Sequence, residues 1–194
     1  IDGTPIAQDW VNLVDCADRA MVISRFGVEA MRQAGKSVSL CHPGVDVGEF
    51  FPVSVDERAA LREKAGIPKD AFLVGAAMMN QGRKAWPAVM EGFAEFCKDK
   101  PNALLVCDCE KESGAGWSLP KLAGQIGLDA KRIVYKADIA NQLPALPDRF
   151  RILDVHTPIA HREGFGLPIL ETMACGVANA VLDWCSGTEL MADG

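Results

Sequence analysis

The sequence predicts an α/β fold built on a Rossmann-like, doubly wound parallel sheet. Short apolar runs typical of buried strands alternate with helix-like segments along the whole chain. The strand-like runs are apolar almost throughout, which is typical of parallel strands covered by helices on both faces. Hydrophobic residues make up 49% of the chain and charged residues 24%, an ordinary balance for a globular protein.

The first part of the chain contains one predicted strand–helix–strand unit. The run RAMVIS (19–24) predicts a buried strand, RFGVEAMRQAG (25–35) has the periodicity of a helix that ends at a glycine, and SVSLC (37–41) predicts a second strand. We interpret residues 1–41 as the end of one α/β domain. Because the sequence begins without Met and stops just after a turn-like segment, we expect it to be part of a longer protein.

Pro and Gly residues punctuate the next segment, HPGVDVGEFFP, and the alternation of strands and helices restarts after it. We therefore predict an interdomain junction at 42–52, in which Asp46 caps a turn. A second α/β domain is expected over 53–194, truncated at its end. Its predicted helices are 55–66, 86–100, 118–128 and 167–175, and its predicted strands are 71–77, 102–108, 132–136, 151–157 and 179–183.

Composition argues against several classes of protein. Lys and Arg number 20 against 26 Asp and Glu, a net charge of −6, and without a basic cluster this argues against nucleic-acid binding. No apolar run reaches the roughly 20 residues of a membrane span. Seven scattered cysteines, mostly in apolar runs, indicate buried reduced thiols in a cytoplasmic protein. CDCE (107–110) lacks a second Cys or His pair, so no metal site is expected.

The segment HREGFGLPILETMACG (161–176) changes within a few residues from a Gly-containing loop into an apolar helix. Ligands of open parallel sheets bind beyond the carboxyl ends of the strands, where such loops enter helices. Gly164 and Gly166 allow a ligand to approach the backbone. The N–H groups of Phe165, Gly166 and Leu167, with the positive end of the helix, predict a phosphate site.

Two carboxylates, Glu163 and Glu171, lie on either side of this predicted phosphate site. They would repel a phosphate, but each carboxylate can accept two hydrogen bonds from neighbouring hydroxyls. Glu171 lies about one helical turn, roughly 5–6 Å, further on. The pattern therefore predicts a phosphate flanked by polyhydroxyl groups, as in a nucleotide-sugar. The alternative is that both acids are structural, on an exposed face or beside the helix dipole.

A dinucleotide-dependent oxidoreductase is a weaker alternative. GFGLPI lacks the third glycine of G-x-G-x-x-G, and it follows a long loop instead of a first strand. His156 and His161 flank the same loop, where either could meet a ligand. Because a single loop histidine is more often solvated, we expect solvated side chains and assign neither a role.

The E-x7-E pair in EGFGLPILE (163–171) resembles the signature of retaining glycosyltransferases of the GT-B fold, family 4 (glycosyl transferases group 1). Three further segments resemble this family in the expected order: ADRAMVISRFGVEAMRQAG (17–35), the junction with Gly44, Val45, Asp46, Phe50 and Pro52, and SGTELMADG (186–194). The resemblance covers nearly the whole chain. It implies the C-terminal, donor-binding domain of such an enzyme, preceded by the tail of the N-terminal, acceptor-side domain.

The resemblance also implies roles for individual residues. Glu163 is expected to contact the transferred sugar as the catalytic residue, and Glu171 to bind the ribose diol. The segment Gly164–Leu167 is expected to hold sugar and diphosphate through its backbone.

The family also presents an Arg and a Lys to the diphosphate, where they stabilise the charge of the leaving group. In VGAAMMNQGRKAWP, Lys84 matches the Lys, Met78 or Met79 occupies the usual Arg position, and Arg83 is expected to replace it. The alternative is a solvated pair of loop cations.

The activity that the resemblance implies is transfer of a hexose from a nucleotide-diphosphate sugar, with retention of configuration and without a metal or other cofactor. The acceptor, a sugar, a lipid or a small molecule, stays open, as do the base and the sugar. We expect the full-length protein to be active, with peripheral membrane attachment left open, and the chain alone to be inactive. Alternatives are a GT-B epimerase and a non-catalytic nucleotide-sugar-binding domain; a phosphorylase would require a pyridoxal-phosphate lysine site, which is not recognisable.

Overall fold

The computed structural model describes residues 5–191, which divide into two compact units. The described part of unit 1 comprises residues 5–44, 162–167 and 182–191, and unit 2 comprises residues 45–161 and 168–181. The unit boundary after Gly44 falls inside the predicted junction. Unit 1 also takes in two later segments that the sequence assigned to the second domain, and the predicted domain boundaries stay a prediction. Residues 192–194 of the family-like segment SGTELMADG lie outside the described residues.

The elements are short and alternate along the chain. The helices are α1 (Gln8–Val14), α2 (Arg25–Gln33), α3 (Val55–Lys64), α4 (Trp86–Phe96), α5 (Leu119–Gln125), α6 (Lys136–Ile139), α7 (Leu146–Arg151), α8 (Leu167–Ala174) and α9 (Gly187–Leu190), and the strands are β1 (Met21–Val22), β2 (Ser39–Leu40), β3 (Phe72–Ala76), β4 (Ala103–Cys107), β5 (Ile133–Tyr135), β6 (Val155–His156) and β7 (Ala178–Asn179). Within residues 5–191, no helix has the length and apolar character needed to cross a bilayer.

Unit 1 contains the parallel pair of β1 and β2 with helix α2 between them in sequence. The helix begins after Ser24, whose hydroxyl accepts a hydrogen bond from the N–H of Gly27 at 3.0 Å, an N-cap that satisfies one of the first free donors. It ends at Gly35, which has φ +74°, a conformation that favours glycine. The predicted helix over 25–35 is confirmed.

Unit 2 is built on a five-stranded sheet in the order β5-β4-β3-β6-β7, in which every neighbouring pair is parallel. Side chains of β3 alternate between two buried clusters. Val74 and Ala76 pack with Trp86 of α4 and other residues of α4 and α5, whereas Leu73 packs with Phe150 of α7 and other residues on the opposite face. The sheet is therefore buried on both faces, and the predicted α/β fold class is confirmed.

The start of β6 is held by a partly buried ionic cluster. The carboxylate of Asp154 accepts hydrogen bonds from the N–H of Leu73 and from the guanidinium groups of Arg58 and Arg62, each at 2.7 Å. Arg62 also donates to the carbonyl oxygens of Ile152 and Ala71. The cluster ties helix α3 to the amino end of β3, since both guanidinium groups come from that helix.

The predicted strand over 151–157 is wrong in its first half. Helix α7 continues to Arg151, and Ile152 and Leu153 follow it in a turn in which the N–H of Leu153 donates to the carbonyl of Phe150. These two residues are apolar because the core buries them, with exposed fractions of 0% and 3%, and not because they pair in a sheet. Helices α6 and α7 were missed, and the predicted strand over 179–183 is replaced by the two-residue strand β7.

The Asp46 turn is confirmed, since the Asp46 carboxylate accepts from the N–H of Gly48 at 2.8 Å. The expectation of buried cysteines holds for Cys107, Cys109 and Cys175 but is wrong for Cys16 and Cys41, which are exposed. Residue type alone does not distinguish these environments.

We predict that Gly75→Ala destabilises unit 2 through a specific clash with Leu153. A Cβ atom on Gly75 would lie 2.3 Å from Cδ1 of Leu153, whose burial leaves it little freedom to move. The expected loss is about 1–3 kcal/mol in the free energy of unfolding, as for other overpacked core positions. Because Leu153→Ala removes the clashing atoms, the double variant should lose clearly less than the sum of the single variants in urea unfolding. Strict additivity would contradict the clash.

Candidate functional site

The segment 161–176 folds as a loop followed by helix α8, as the sequence predicts. Gly166, immediately before the helix, has φ +95°, so a residue without a side chain is required at the entry to α8. The helix ends at Gly176, which has φ +77° and whose N–H donates to the carbonyl of Met173. The N–H of Val177 donates to the carbonyl of Thr172, which completes a glycine-based helix stop. Both glycines thus define the limits of the helix.

The loop before α8 is anchored within unit 1. Phe165 is buried, and its ring lies 5.5 Å from that of His42. The Ser186 hydroxyl, also buried, donates to the backbone carbonyl of Glu163 at 3.0 Å. Backbone and ring contacts therefore fix the course of the loop, in which Glu163 is partly exposed.

A second set of contacts in unit 1 is made by the Glu189 carboxylate, which contacts the first turn of α2 and His42. The carboxylate of Glu189 accepts from the N–H groups of Arg25 and Phe26, both at 2.7 Å, at the first turn of α2. A carboxylate at this position satisfies free donors and complements the helix dipole. The same carboxylate lies 3.3 Å from Nε2 of His42.

Glu171 lies in unit 2, one turn into α8, and is half-buried. Burial raises the pKa of its carboxyl group, and the negative charge of Glu49 raises the pKa further. Its ionised form is therefore disfavoured in the free protein. Hydroxyl donors that reached this carboxylate would stabilise the ionised form.

Within unit 2, Arg83 and Lys84 pair through their backbone with residues 160 and 161. Lys84 forms an antiparallel bridge with Ala160, and the carbonyl of Arg83 accepts from the N–H of His161 at 3.0 Å. Lys84 is only 6% exposed, so the alternative of a solvated pair is wrong for this residue. Arg83 is partly exposed. Of the two Met residues at the usual Arg position, Met78 is buried and Met79 is exposed.

Buried Asn80 shapes the loop that carries these two cations. Its amide nitrogen donates to the carbonyls of Glu110 and Trp117, and its amide oxygen accepts from the N–H of Trp117 at 2.8 Å. A Cβ atom on Gly116 would lie 2.5 Å from the Asn80 carbonyl oxygen, so only glycine allows this approach. Sequence reasoning missed both residues, because the loop over 110–117 carries no recognisable pattern.

His156 is not solvated, contrary to our expectation. It lies in β6 and is 0% exposed, and its ring contacts β7, α8 and the residue that follows β3. Nε2 lies 3.3 Å from the N–H nitrogen of Ala77, and Nδ1 lies 2.8 Å from Oδ1 of Asn179 and 3.1 Å from Oγ1 of Thr172. Burial lowers the pKa of this imidazole to about 4, so the ring is neutral at pH 7. His161, by contrast, is exposed.

Among residues 5–191, no group of three or more His, Cys, Asp and Glu side chains is arranged to hold a metal ion. The donors that the described part of the site offers are backbone N–H groups and the cations of residues 83 and 84. Its acceptors are the carboxylates of Glu163 and Glu171. Within unit 2, the cations of residues 83 and 84 are suited to an anion, and the Glu171 carboxylate is suited to hydroxyl donors.

Comparison with known proteins places these features in context. No family model matches the chain. It is 32% identical to D-inositol 3-phosphate glycosyltransferase 2 of Catenulispora acidiphila over an alignment of 205 positions, which covers 94% of this chain and 46% of that protein. The chain therefore spans about half the length of this relative.

Two solved structures share the fold. The C-terminal domain of a glycosyl transferase group 1 family protein (LpcC) from Francisella tularensis aligns with a TM-score of 0.64 and 28% identity, covering 77% of this chain and 76% of that chain. Anabaena HepE in complex with UDP-glucose aligns with a TM-score of 0.78 and 20% identity, covering 95% of this chain and 50% of that chain. The second likeness, at this identity, shows the fold alone.

We predict that buried His156 makes unit 2 less stable in acid. The pKa of a histidine is about 6.5 in an unfolded chain and about 4 here, so the unfolded state binds more protons between these values. The free energy of unfolding should therefore fall as the pH decreases from 6.5 to 4. At about 1.4 kcal/mol per pKa unit, the limit is about 3 kcal/mol. Urea unfolding of wild type and His156→Asn across this range isolates the effect, because other groups titrate in both proteins. Parallel stability curves would contradict it.

Proposed function

Because the chain belongs to the group 1 glycosyltransferases of the GT-B fold, we propose that it contains the donor-binding residues of a retaining hexosyltransferase that uses a nucleotide-diphosphate sugar. The observation that carries this proposal is the half-buried carboxylate of Glu171, one turn into a helix that begins directly after Gly166. Anion-binding and diol-binding groups are thereby combined in one short segment.

The first role concerns the diphosphate. The first turn of α8 and the preceding loop, Gly164–Leu167, supply backbone N–H groups, and the helix dipole favours an anion there. Arg83 and Lys84 supply positive charge that stabilises the diphosphate as it leaves. Burial of Lys84 supports this role, since an ammonium group in low-dielectric surroundings interacts more strongly with an anion than one in water.

The second role belongs to Glu171, which we assign to the ribose diol. Its two carboxylate oxygens can accept both hydroxyl protons, and these hydrogen bonds offset the desolvation that raises its pKa. A ligand with two adjacent donors therefore suits this carboxylate better than a second anion.

Glu163 is the proposed catalytic residue. It lies in the loop before α8, and the hydrogen bond from Ser186 to its backbone carbonyl fixes the residue. We propose that its carboxylate contacts hydroxyls of the transferred sugar. The donor chemistry needs no metal in this proposal, because the loop cations and the helix take up the charge of the leaving diphosphate. The acceptor is a sugar, a lipid or a small molecule. HepE binds UDP-glucose, which makes this the first donor to test.

We predict that Glu171→Ala weakens donor binding about tenfold or more, a loss of ~1.4 kcal/mol. Ligand-observed NMR would follow binding of UDP, GDP and ADP and of their glucose and mannose conjugates, with one nucleotide class expected to bind. Glu91→Ala, an exposed glutamate of α4, is the matched control and should bind like wild type.

A second comparison separates the ribose role from a general effect. The loss caused by Glu171→Ala should nearly vanish with the 2′,3′-dideoxy form of the same nucleotide, because the diol is then absent. Since burial disfavours the charge of Glu171, Glu171→Gln should unfold at higher urea at pH 7 even while it loses affinity. An equal loss for both nucleotides would refute the diol assignment, and binding of no nucleotide by wild type would leave a fold without a donor site.

We predict that Lys84→Met lowers affinity for the nucleoside diphosphate much more than for the nucleoside. The Met side chain keeps the buried apolar stem and removes the ammonium group together with its contacts inside the protein. Because those contacts are lost for both ligands, the difference between the two affinities measures the interaction with phosphate. The salt dependence of diphosphate binding should also become weaker. Lys121→Met, an exposed lysine of α5, serves as the control. Equal losses for both ligands would show that Lys84 acts through the structure of its loop.

A further inference from the structure

We propose that His156 is a positioning residue that fixes the rotation of helix α8 about its axis, and thereby the direction of Glu171. The consequence for ligand binding depends on the proposed donor site, whereas the effect on the helix does not. His156 itself touches no proposed ligand group; it acts through Thr172 and Asn179.

The hydrogen bonds of the ring assign its protonation. The N–H of Ala77 must donate, so Nε2 accepts, and the proton of the neutral imidazole therefore lies on Nδ1. Nδ1 then donates to the Asn179 oxygen at 2.8 Å. The amide nitrogen of Asn179 donates to the carbonyl of Val177 at 3.0 Å. The amide oxygen therefore faces Nδ1 and accepts its proton. Every polar atom of the ring has a partner, as burial requires.

Thr172 connects this ring to helix α8. It is 0% exposed, and its hydroxyl oxygen lies 3.1 Å from Nδ1 of His156 and 3.0 Å from Oδ1 of Asn179. The hydroxyl also lies 2.7 Å from the carbonyl of Pro168, in the first turn. The hydroxyl has a single proton, and the short contact assigns it to the Pro168 carbonyl, so the hydroxyl oxygen accepts from the Nδ1–H of His156, which is shared with Asn179. The inner face of α8 is thus linked to β6 directly and to β7 through the His156 ring, and these are the two strands next to it in the chain.

These hydrogen bonds fix the rotation of α8 about its axis, which apolar packing alone does not fix. Contacts of Ile169 and Cys175 with the core are non-directional, whereas hydrogen bonds weaken when they are misaligned. Glu171 precedes Thr172, so it projects about 100° away around the helix. At a radius of about 5–6 Å, a rotation of 25° would move the carboxylate by about 2–3 Å, enough to lose a hydrogen bond.

A purely structural role for His156 is the competing explanation, since its ring also satisfies the N–H of Ala77. Two substitutions separate these roles. The Asn amide reaches the position of Nδ1, so His156→Asn keeps a donor for Asn179 and Thr172. The Gln amide reaches the position of Nε2, so His156→Gln keeps an acceptor for Ala77 and loses the link to α8.

The experiment compares wild type, His156→Asn and His156→Gln by three measurements: urea unfolding, amide hydrogen exchange over residues 169–174, and affinity for the nucleoside diphosphate that wild type binds. Asp154→Asn is the matched control, because it weakens the cap on Leu73 at the opposite end of β3, and within residues 5–191 its carboxylate hydrogen-bonds to Leu73, Arg58 and Arg62 and not to α8. Thr172→Val, which removes only the hydroxyl, tests the link from the helix side.

We expect His156→Gln and Thr172→Val to exchange α8 amides at least tenfold faster and to bind about five- to tenfold more weakly, under conditions where both are folded. His156→Asn should retain both properties within about twofold, although its stability falls. Asp154→Asn should lose stability alone. The proposal is overturned if α8 exchange follows global stability in all variants, or if His156→Asn behaves like His156→Gln. If wild type binds no nucleotide but the exchange pattern holds, the donor site fails and the positioning role stands.

Discussion

Strand β3 is buried on both faces and pairs with a neighbour, β6, that is only two residues long. The N–H groups of Leu73 and of Ala77, the residue directly after the strand, face that neighbour beyond the two paired residues. A buried N–H without an acceptor costs roughly 1–3 kcal/mol, so side chains must accept where the backbone of β6 ends. Asp154 accepts from Leu73 and His156 from Ala77. The polar residues around the centre of the sheet follow from this requirement.

The two ends of β3 meet the requirement in different ways. At the amino end, the acceptor is a carboxylate, and Arg58 and Arg62 balance its charge. At the carboxyl end, the acceptor is a neutral imidazole, which needs no counter-ion and has a second nitrogen available. That nitrogen reaches the strand and the helix that follow β6 in the chain. The same backbone constraint therefore produces a static ionic cluster at one end and a link to α8 at the other.

The sequence predicted the elements whose signals are local. Helix α8 was recognised from the Gly-containing loop that leads into an apolar segment, and β3 and β4 were recognised from continuous apolar runs. The prediction of a strand over 151–157 was wrong in its first half because Ile152 and Leu153 are buried in a turn. An apolar run does not distinguish a buried turn from a strand.

The supporting residues of the candidate site could not be found in this way. His156 was judged solvated because its partners, Thr172 and Asn179, are 16 and 23 residues away in sequence. Asn80 and Gly116 likewise meet only in the folded chain. A single sequence shows which residues can form hydrogen bonds, but tertiary packing decides which of them meet.

Two residues that the sequence singled out, Glu171 and Lys84, carry ionisable groups in buried or half-buried positions. Glu171 keeps a half-buried carboxylate near Glu49, which raises its pKa, although an uncharged side chain would stabilise the free fold. Lys84 places an ammonium group in a nearly buried position. Proteins tolerate such conflicts chiefly where function requires them. In unit 2, the acids create a preference for hydrogen-bond donors around Glu171, and the cations create a preference for an anion around residues 83 and 84. A diphosphate joined to a ribose would offer an anion to the cations and hydroxyl donors to Glu171, and this combination is the one that the proposed function requires.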